Sequence, residues 1–178
     1  MIISYLLTIL LLLVVAYTSY TDFKYTKIYN KFLLIVWFIA LSLHIVQDTW
    51  GSSLQGFVIA FFIFFVIYLF KMTSAGDVKL FSVLGAIVAN IQVIGYAFIF
   101  FMVCQLVIGV IGLMKQAEFR PKKIIALLKL DLIGFMNKTE PAIQPIRFPA
   151  AFFIGASVVL AHVTISIGGS RHIIGHIL

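Results

Sequence analysis

Long apolar runs, most of them near the length that crosses a bilayer, are separated along this chain by short polar or basic breaks. A transmembrane helix needs roughly 20 apolar residues at about 1.5 Å each to cover about 30 Å of hydrocarbon, and on that ruler the chain divides into six segments. The first is predicted from Ile2 to about Tyr20, the second from Phe32 to Val46 and the third from Leu54 to Phe70. Leu80 to Met114 is too long for one crossing, and its polar break, Asn90-Ile91-Gln92, predicts a tight turn. That turn leaves a short fourth span, about Leu80 to Ala89, expected to be tilted, extended by part of the preceding loop, or not fully crossing. A fifth follows to Met114, and a sixth runs from about Pro149 to Ile167. The expected fold is all-α, a polytopic integral membrane protein of about six transmembrane helices. Residues 1–178 are expected to form a single membrane-embedded domain.

Composition supports this reading. Hydrophobic residues make up 63% of the chain and charged residues 11%, whereas a soluble domain is about 45–50% apolar and about 25% charged. Too little charge is present to cover an aqueous surface. The apolar content excludes disorder, and the single cysteine excludes a disulfide scaffold. The net charge of +7 is placed unevenly: of 13 basic residues, all but Arg171 fall in three loops, about 21–31, 71–79 and 115–148. By the positive-inside rule these loops are cytoplasmic, with both termini and the segment Gln47 to Ser53 on the other side. The basic charge is thus explained without nucleic acid. Within the last loop, Pro121 to Phe135 mixes lysines with aliphatic residues, as a helix lying among headgroups would. The first span lacks a basic start, and Tyr17-Thr18-Ser19-Tyr20 does not match a small-residue cleavage site, so it is read as a retained span.

Few side chains can carry chemistry. Cys104 lies in mid-span, where a thiol is neutral and inert. His44, His162, His172 and His176 are scattered, without HExxH or CxxC spacing, so no metal site and no cofactor are expected. His162 is an ionisable group inside a span, read as a neutral imidazole bonded to a neighbouring helix.

Two aspartates stand apart. Asp22 follows the first span in Tyr20-Thr21-Asp22-Phe23-Lys24, and Asp77 opens the fourth in Ser74-Ala75-Gly76-Asp77-Val78-Lys79-Leu80. The topology puts both at the cytoplasmic face on different helices. Peptide hydrolysis by two carboxylates needs one ionised to take a proton from water and one protonated to donate, and two acids sharing a site titrate apart. Taken singly, Asp77 is also readable as the N-cap of its helix, and Asp22 as a solvated acid among lysines.

At these residues the chain resembles the type IV prepilin peptidases, the GxGD class of membrane aspartic proteases. Asp22, Ile28 and Asn30 fit the family's D-x-x-x-x-x-I-x-N, and Ala75 to Leu80 fits G-x-G-D-x-K-L after its start. Arg147-Phe148-Pro149-Ala150-Ala151, continuing to Gly155, is similar to the family's proline-containing entry into the last helix. Ser74 replaces the first glycine of GxGD, and Tyr29 stands where proline is common. The subgroup most similar is the short form beside tight-adherence or Flp-type pilus systems.

The resemblance implies an aspartic endopeptidase of the bacterial inner membrane. It would remove the short basic leader from a prepilin or pseudopilin precursor whose apolar helix sits in the bilayer. Asp22 and Asp77 would be catalytic, with the order of base and acid open. Gly76 is expected to permit close backbone approach, and Lys79, Asn30 and Ser74 to support the site, with a lipid headgroup as an alternative partner for Lys79. The cysteine-paired domain of long bifunctional members is not found near the first acid, so neither N-methyltransferase activity nor zinc is expected. The partners implied are the precursor and the bilayer, with the oligomeric state unknown. Two competing readings are a six-span transporter or channel component using the acids for ions, and a non-catalytic pilus-assembly protein.

Overall fold

A computed structural model describes residues 2–70, 73–118, 123, 125–126, 129 and 150–174, with side chains of the last helix described to residue 165. Six helices are present among them: α1 (Ile2–Tyr25), α2 (Asn30–Val46), α3 (Trp50–Leu69), α4 (Ala75–Val88), α5 (Ile91–Gln116) and α6 (Ala150–Ile174). Of these, α1, α3 and α5 are long and apolar enough to cross a membrane, and α2 and the 150–165 part of α6 are shorter apolar helices. The chain forms two compact units, Met1–Phe101 with Pro149–Leu178, and Met102–Phe148.

The first unit is built around α4. This helix packs against α1, α2, α3 and α6, and its residues are buried continuously from Leu80 to Ile87. Fourteen residues span only about 21 Å, less than the hydrocarbon thickness. A helix ending at membrane depth must have its terminal carbonyls served by protein, since no water is there to do so. The Ser53 hydroxyl donates to Ala86 O at 2.9 Å. The His44 ring bonds Ile87 O through Nε2 at 3.1 Å and Thr49 Oγ1 through Nδ1 at 2.9 Å. A carbonyl only accepts, so Nε2 carries the proton and Nδ1 accepts from the Thr49 hydroxyl. Ala89 then closes the helix in the left-handed conformation, its N–H bonded to Gly85 O. Asn90 starts the next, its Oδ1 accepting from Gln92 N at 2.9 Å and Val93 N at 3.3 Å.

The crossing of α3 and α4 is set by glycine. A Cβ on Gly56 would overlap the Gly85 carbonyl, and one on Gly85 would lie 2.7 Å from both Ala60 Cβ and Gly56 O. Small residues let backbones approach where lipid offers no hydrophobic drive between helices. Nearby, Phe64 of α3 stacks on Phe81 of α4 with centroids 4.0 Å apart, and Phe101 of α5 lies 5.1 Å from Phe64.

Several helix boundaries differ from the hydropathy reading, the last helix running to Ile174 instead of about Ile167 and the second starting at Asn30 instead of Phe32. The first helix continues past Tyr20 to Tyr25, so Asp22 is helical and not a loop residue; Thr26, at φ 51°, ends it, with its N–H on Asp22 O at 2.9 Å. The third helix starts at Trp50 instead of Leu54, with its polar first turn used to bury Ser53. The fourth takes in five residues of the preceding connection. The second unit holds the rest of α5, a turn at Glu118 with φ 54°, and an exposed Lys123–Glu118 ion pair at 2.7 Å, of a kind worth little to stability. The interfacial helix expected from Pro121 to Phe135, and most of loop 115–148, lie outside the described residues, as do Lys71 and Pro149.

Candidate active site

Both aspartates lie in the first unit, at the same end of its bundle. Asp22 sits in the last turn of α1, and its Oδ2 accepts a hydrogen bond from the Ala151 backbone N–H of α6 at 2.9 Å. Ala151 belongs to the first turn of α6, where N–H groups have no partner within the helix. Asp77 occupies the first turn of α4, ahead of the apolar run. It forms a reciprocal capping box, with Ser74 N–H donating to Asp77 Oδ2 at 2.9 Å and Asp77 N–H to Ser74 Oγ at 3.3 Å. The N-cap is therefore Ser74, and Asp77 is the third residue of the helix, which corrects the reading of Asp77 as the cap. A serine in place of the first glycine of GxGD serves as that cap.

Asp77 is 6% exposed. Burial pushes its pKa above the usual carboxylate value, the Ser74 hydrogen bonds pull the other way, and the Asp22 charge adds to the rise. The Asp22 charge, 55 positions away in sequence, is the smallest of these influences.

The remaining motif residues meet in the same place. Lys79 Nζ donates to Asn30 Oδ1 at 3.2 Å, joining the first turn of α2 to α4. Lys79 therefore has a protein partner, where a headgroup was the alternative. A Cβ on Gly76 would meet Ser74 Oγ at 3.4 Å and Ile28 at 3.6 Å, which is ordinary contact, so close backbone approach does not require glycine there. Because the Lys79–Asn30 bond is exposed, each of Lys79→Met and Asn30→Ala is expected to cost about 1 kcal/mol or less. The double variant should be no less stable than the worse single one, read as thermal unfolding in detergent; full additivity would mean that the contact does not form in the membrane protein.

Sequence reasoning passed over three groups. The Ala151 N–H is a backbone donor, which no side-chain pattern reveals. Ser19, one turn before Asp22, and Thr73, next to Ser74, keep buried hydroxyls without hydrogen-bond partners, leaving donors near both acids unspent. A cavity of about 480 Å³ lies elsewhere, lined by Ser4, Thr8, His44, Gln47, Thr49 and His162 among others. Ser4 precedes Asp22 by about 27 Å along α1, so this cavity is at the opposite end of the bundle, and His162 lines it instead of the aspartate site. Among the described residues no group of His, Cys, Asp or Glu could hold a metal ion.

A polytopic helical protein with two acids from separate helices coupled at one end has the makings of a membrane aspartic peptidase. The chain belongs to the type IV leader peptidase family, whose model matches residues 9–113. Searches of curated proteins and of solved structures returned no match. The protein is accordingly an aspartic-type endopeptidase that cleaves pilin-like leader sequences, a multi-pass protein of the cytoplasmic membrane. Asp22, Asn30, Ser74, Gly76, Asp77 and Lys79 all fall within the matched residues, whereas α6 lies beyond them.

Proposed function

We propose that Asp22 and Asp77 are the catalytic pair, working at the cytoplasmic face of a six-span, single-domain peptidase. The observation that carries this reading is the placement of Asp22 in the last turn of α1 and of the buried Asp77 in the first turn of α4, at one end of the bundle, with the Asp22 charge one cause of the rise at Asp77. General acid–base hydrolysis requires one acid protonated beside one ionised, and the rise at Asp77 favours its protonated form. No metal enters this chemistry.

The basic loops support a site at the face where a short basic leader would emerge from the bilayer while the apolar pilin helix stays among the spans. Cleavage at that boundary, after a small residue, needs no water at the bilayer centre. A transporter would instead be expected to carry its ionisable groups toward the midplane. Here Asp22 is in the last turn of α1 and Asp77 in the first turn of α4.

Reconstitution in liposomes with a synthetic precursor, a basic leader followed by an apolar helix, tests the proposal. Mass spectrometry should show a single cut at the leader boundary, unaffected by chelator. An intact precursor, or cleavage lost on chelation, would count against it.

A further inference from the structure

We infer that one backbone amide of α6 belongs to the catalytic centre: the Ala151 N–H holds the Asp22 carboxylate by Oδ2 and leaves Oδ1 to act as the general base, with Asp77 as the acid. The inference rests on the pair proposed above, and assigns the order within it. It concerns a segment outside the residues that match the family.

Three observations carry it. The first is the bond itself, 2.9 Å from Ala151 N to Asp22 Oδ2, joining residues 129 apart in sequence. A backbone amide in a helix can only donate, so the group it faces must accept, and an ionised carboxylate accepts best, more so at the positive end of a helix dipole. Among the described residues, Oδ1 has no hydrogen-bond partner.

The second is how closely α6 lies on α1. One turn along from Ala151, a Cβ on Gly155 would overlap the side chain of Val15, and the two helices pack together. The approach that brings the amide to Asp22 is therefore built into the helix pair.

The third is the contrast with Asp77. Its Oδ2 is also held by an N–H, that of Ser74, but the donor comes from its own capping box, and Asp77 is buried. The other charged groups brought here are Lys79, engaged by Asn30, and the exposed Lys24, Lys27 and Lys31. Asp77, the more deeply buried of the two, is assigned as the acid, and Asp22, which is partly exposed, as the group that meets water.

The reaction then runs with all protons accounted for. Asp22 Oδ1 takes a proton from water as the water oxygen bonds to the scissile carbonyl carbon, and the Asp77 proton passes to the carbonyl oxygen. Collapse returns that proton to Asp77 and breaks the C–N bond. The proton held on Asp22 goes to the leaving nitrogen, and both acids are restored.

The test removes one donor. Ala151→Pro deletes the N–H within a first helical turn, where proline is tolerated, and replacing Ala151 by lactic acid, which converts the amide to an ester, deletes it with less steric change. Both are compared with Ala150→Pro, whose amide does not contact Asp22, on a pilin-like synthetic precursor in liposomes. Loss of one hydrogen bond to a charged group is expected to lower kcat by about 10- to 100-fold at unchanged KM, with Ala150→Pro at wild-type rates. Unchanged kcat in the ester variant, a rise in KM alone, or an equal loss in Ala150→Pro would overturn the inference. Asp22→Asn separates the two levels. If that variant still cleaves, the catalytic pair itself is wrong; if it is inactive while the ester variant is normal, only the role of α6 falls.

Discussion

Asp77→Asn is expected to lower cleavage of a pilin-like precursor by at least about 10²-fold, and Asp22→Asn to do the same. A positioned acid or base contributes roughly 10²–10⁴-fold. Asparagine is the informative replacement because the resting contacts survive it. The amide oxygen at position 77 still accepts from Ser74 N–H, and that at position 22 still accepts from Ala151 N–H. Both helix ends stay capped and the fold is kept, while neither side chain can exchange a proton at the reaction centre. Residues that work as one unit are not additive, so the double variant should be no slower than the worse single one. A single variant that stays folded and cuts at the wild-type rate would remove that residue from the mechanism.

The largest effect on stability is expected at Gly85. Its hydrogen faces the backbone of α3, where a Cβ would stand 2.7 Å from Gly56 O and from Ala60 Cβ. A backbone carbonyl cannot rotate away as a side chain does, so α3 and α4 must separate along their crossing. Overpacking of this kind costs about 1–3 kcal/mol and sometimes more, and the two further methyls of valine add to it. Gly85→Val is therefore expected to lower the midpoint of thermal unfolding in detergent far more than Gly95→Ala, which meets nothing within 4 Å. Equal midpoints would mean that the helices do not cross at this contact. Because α4 carries Asp77, Gly85→Val should also reduce cleavage.

The spans and the acids were legible in the sequence for different reasons. Hydropathy marks lipid-facing and core residues alike, so the apolar runs located all six helices. It does not mark their ends. Thr21-Asp22-Phe23-Lys24 is polar enough to read as a loop, yet without glycine or proline the helix goes on until Thr26 turns it. Likewise Trp50-Gly51-Ser52-Ser53 reads as a connection, but Ser53 is buried because a carbonyl of α4 needs its hydroxyl. At the site, the residues were picked out by the resemblance that Asp22, Ile28 and Asn30 and Gly76, Asp77 and Lys79 carry, and of these the fold bonds Lys79 to Asn30 and sets Ile28 beside Gly76. The groups that serve α4 at its far end were not, since His44 and Ser53 meet Ile87 and Ala86 across 43 and 33 positions. The Ala151 amide was hidden for a simpler reason, because every residue except proline carries the same group.

The mechanism requires Asp22 and Asp77 to share one site, and the most direct measurement is the titration of Asp77 in liposomes, followed by its protonated carboxyl infrared band as the difference between wild type and Asp77→Asn. The midpoint should lie above the ordinary aspartate value of about 3.9, and Asp22→Asn should bring it down, since the Asp22 charge is one of the causes of its rise. An ordinary midpoint that Asp22→Asn leaves unmoved would contradict the coupled pair.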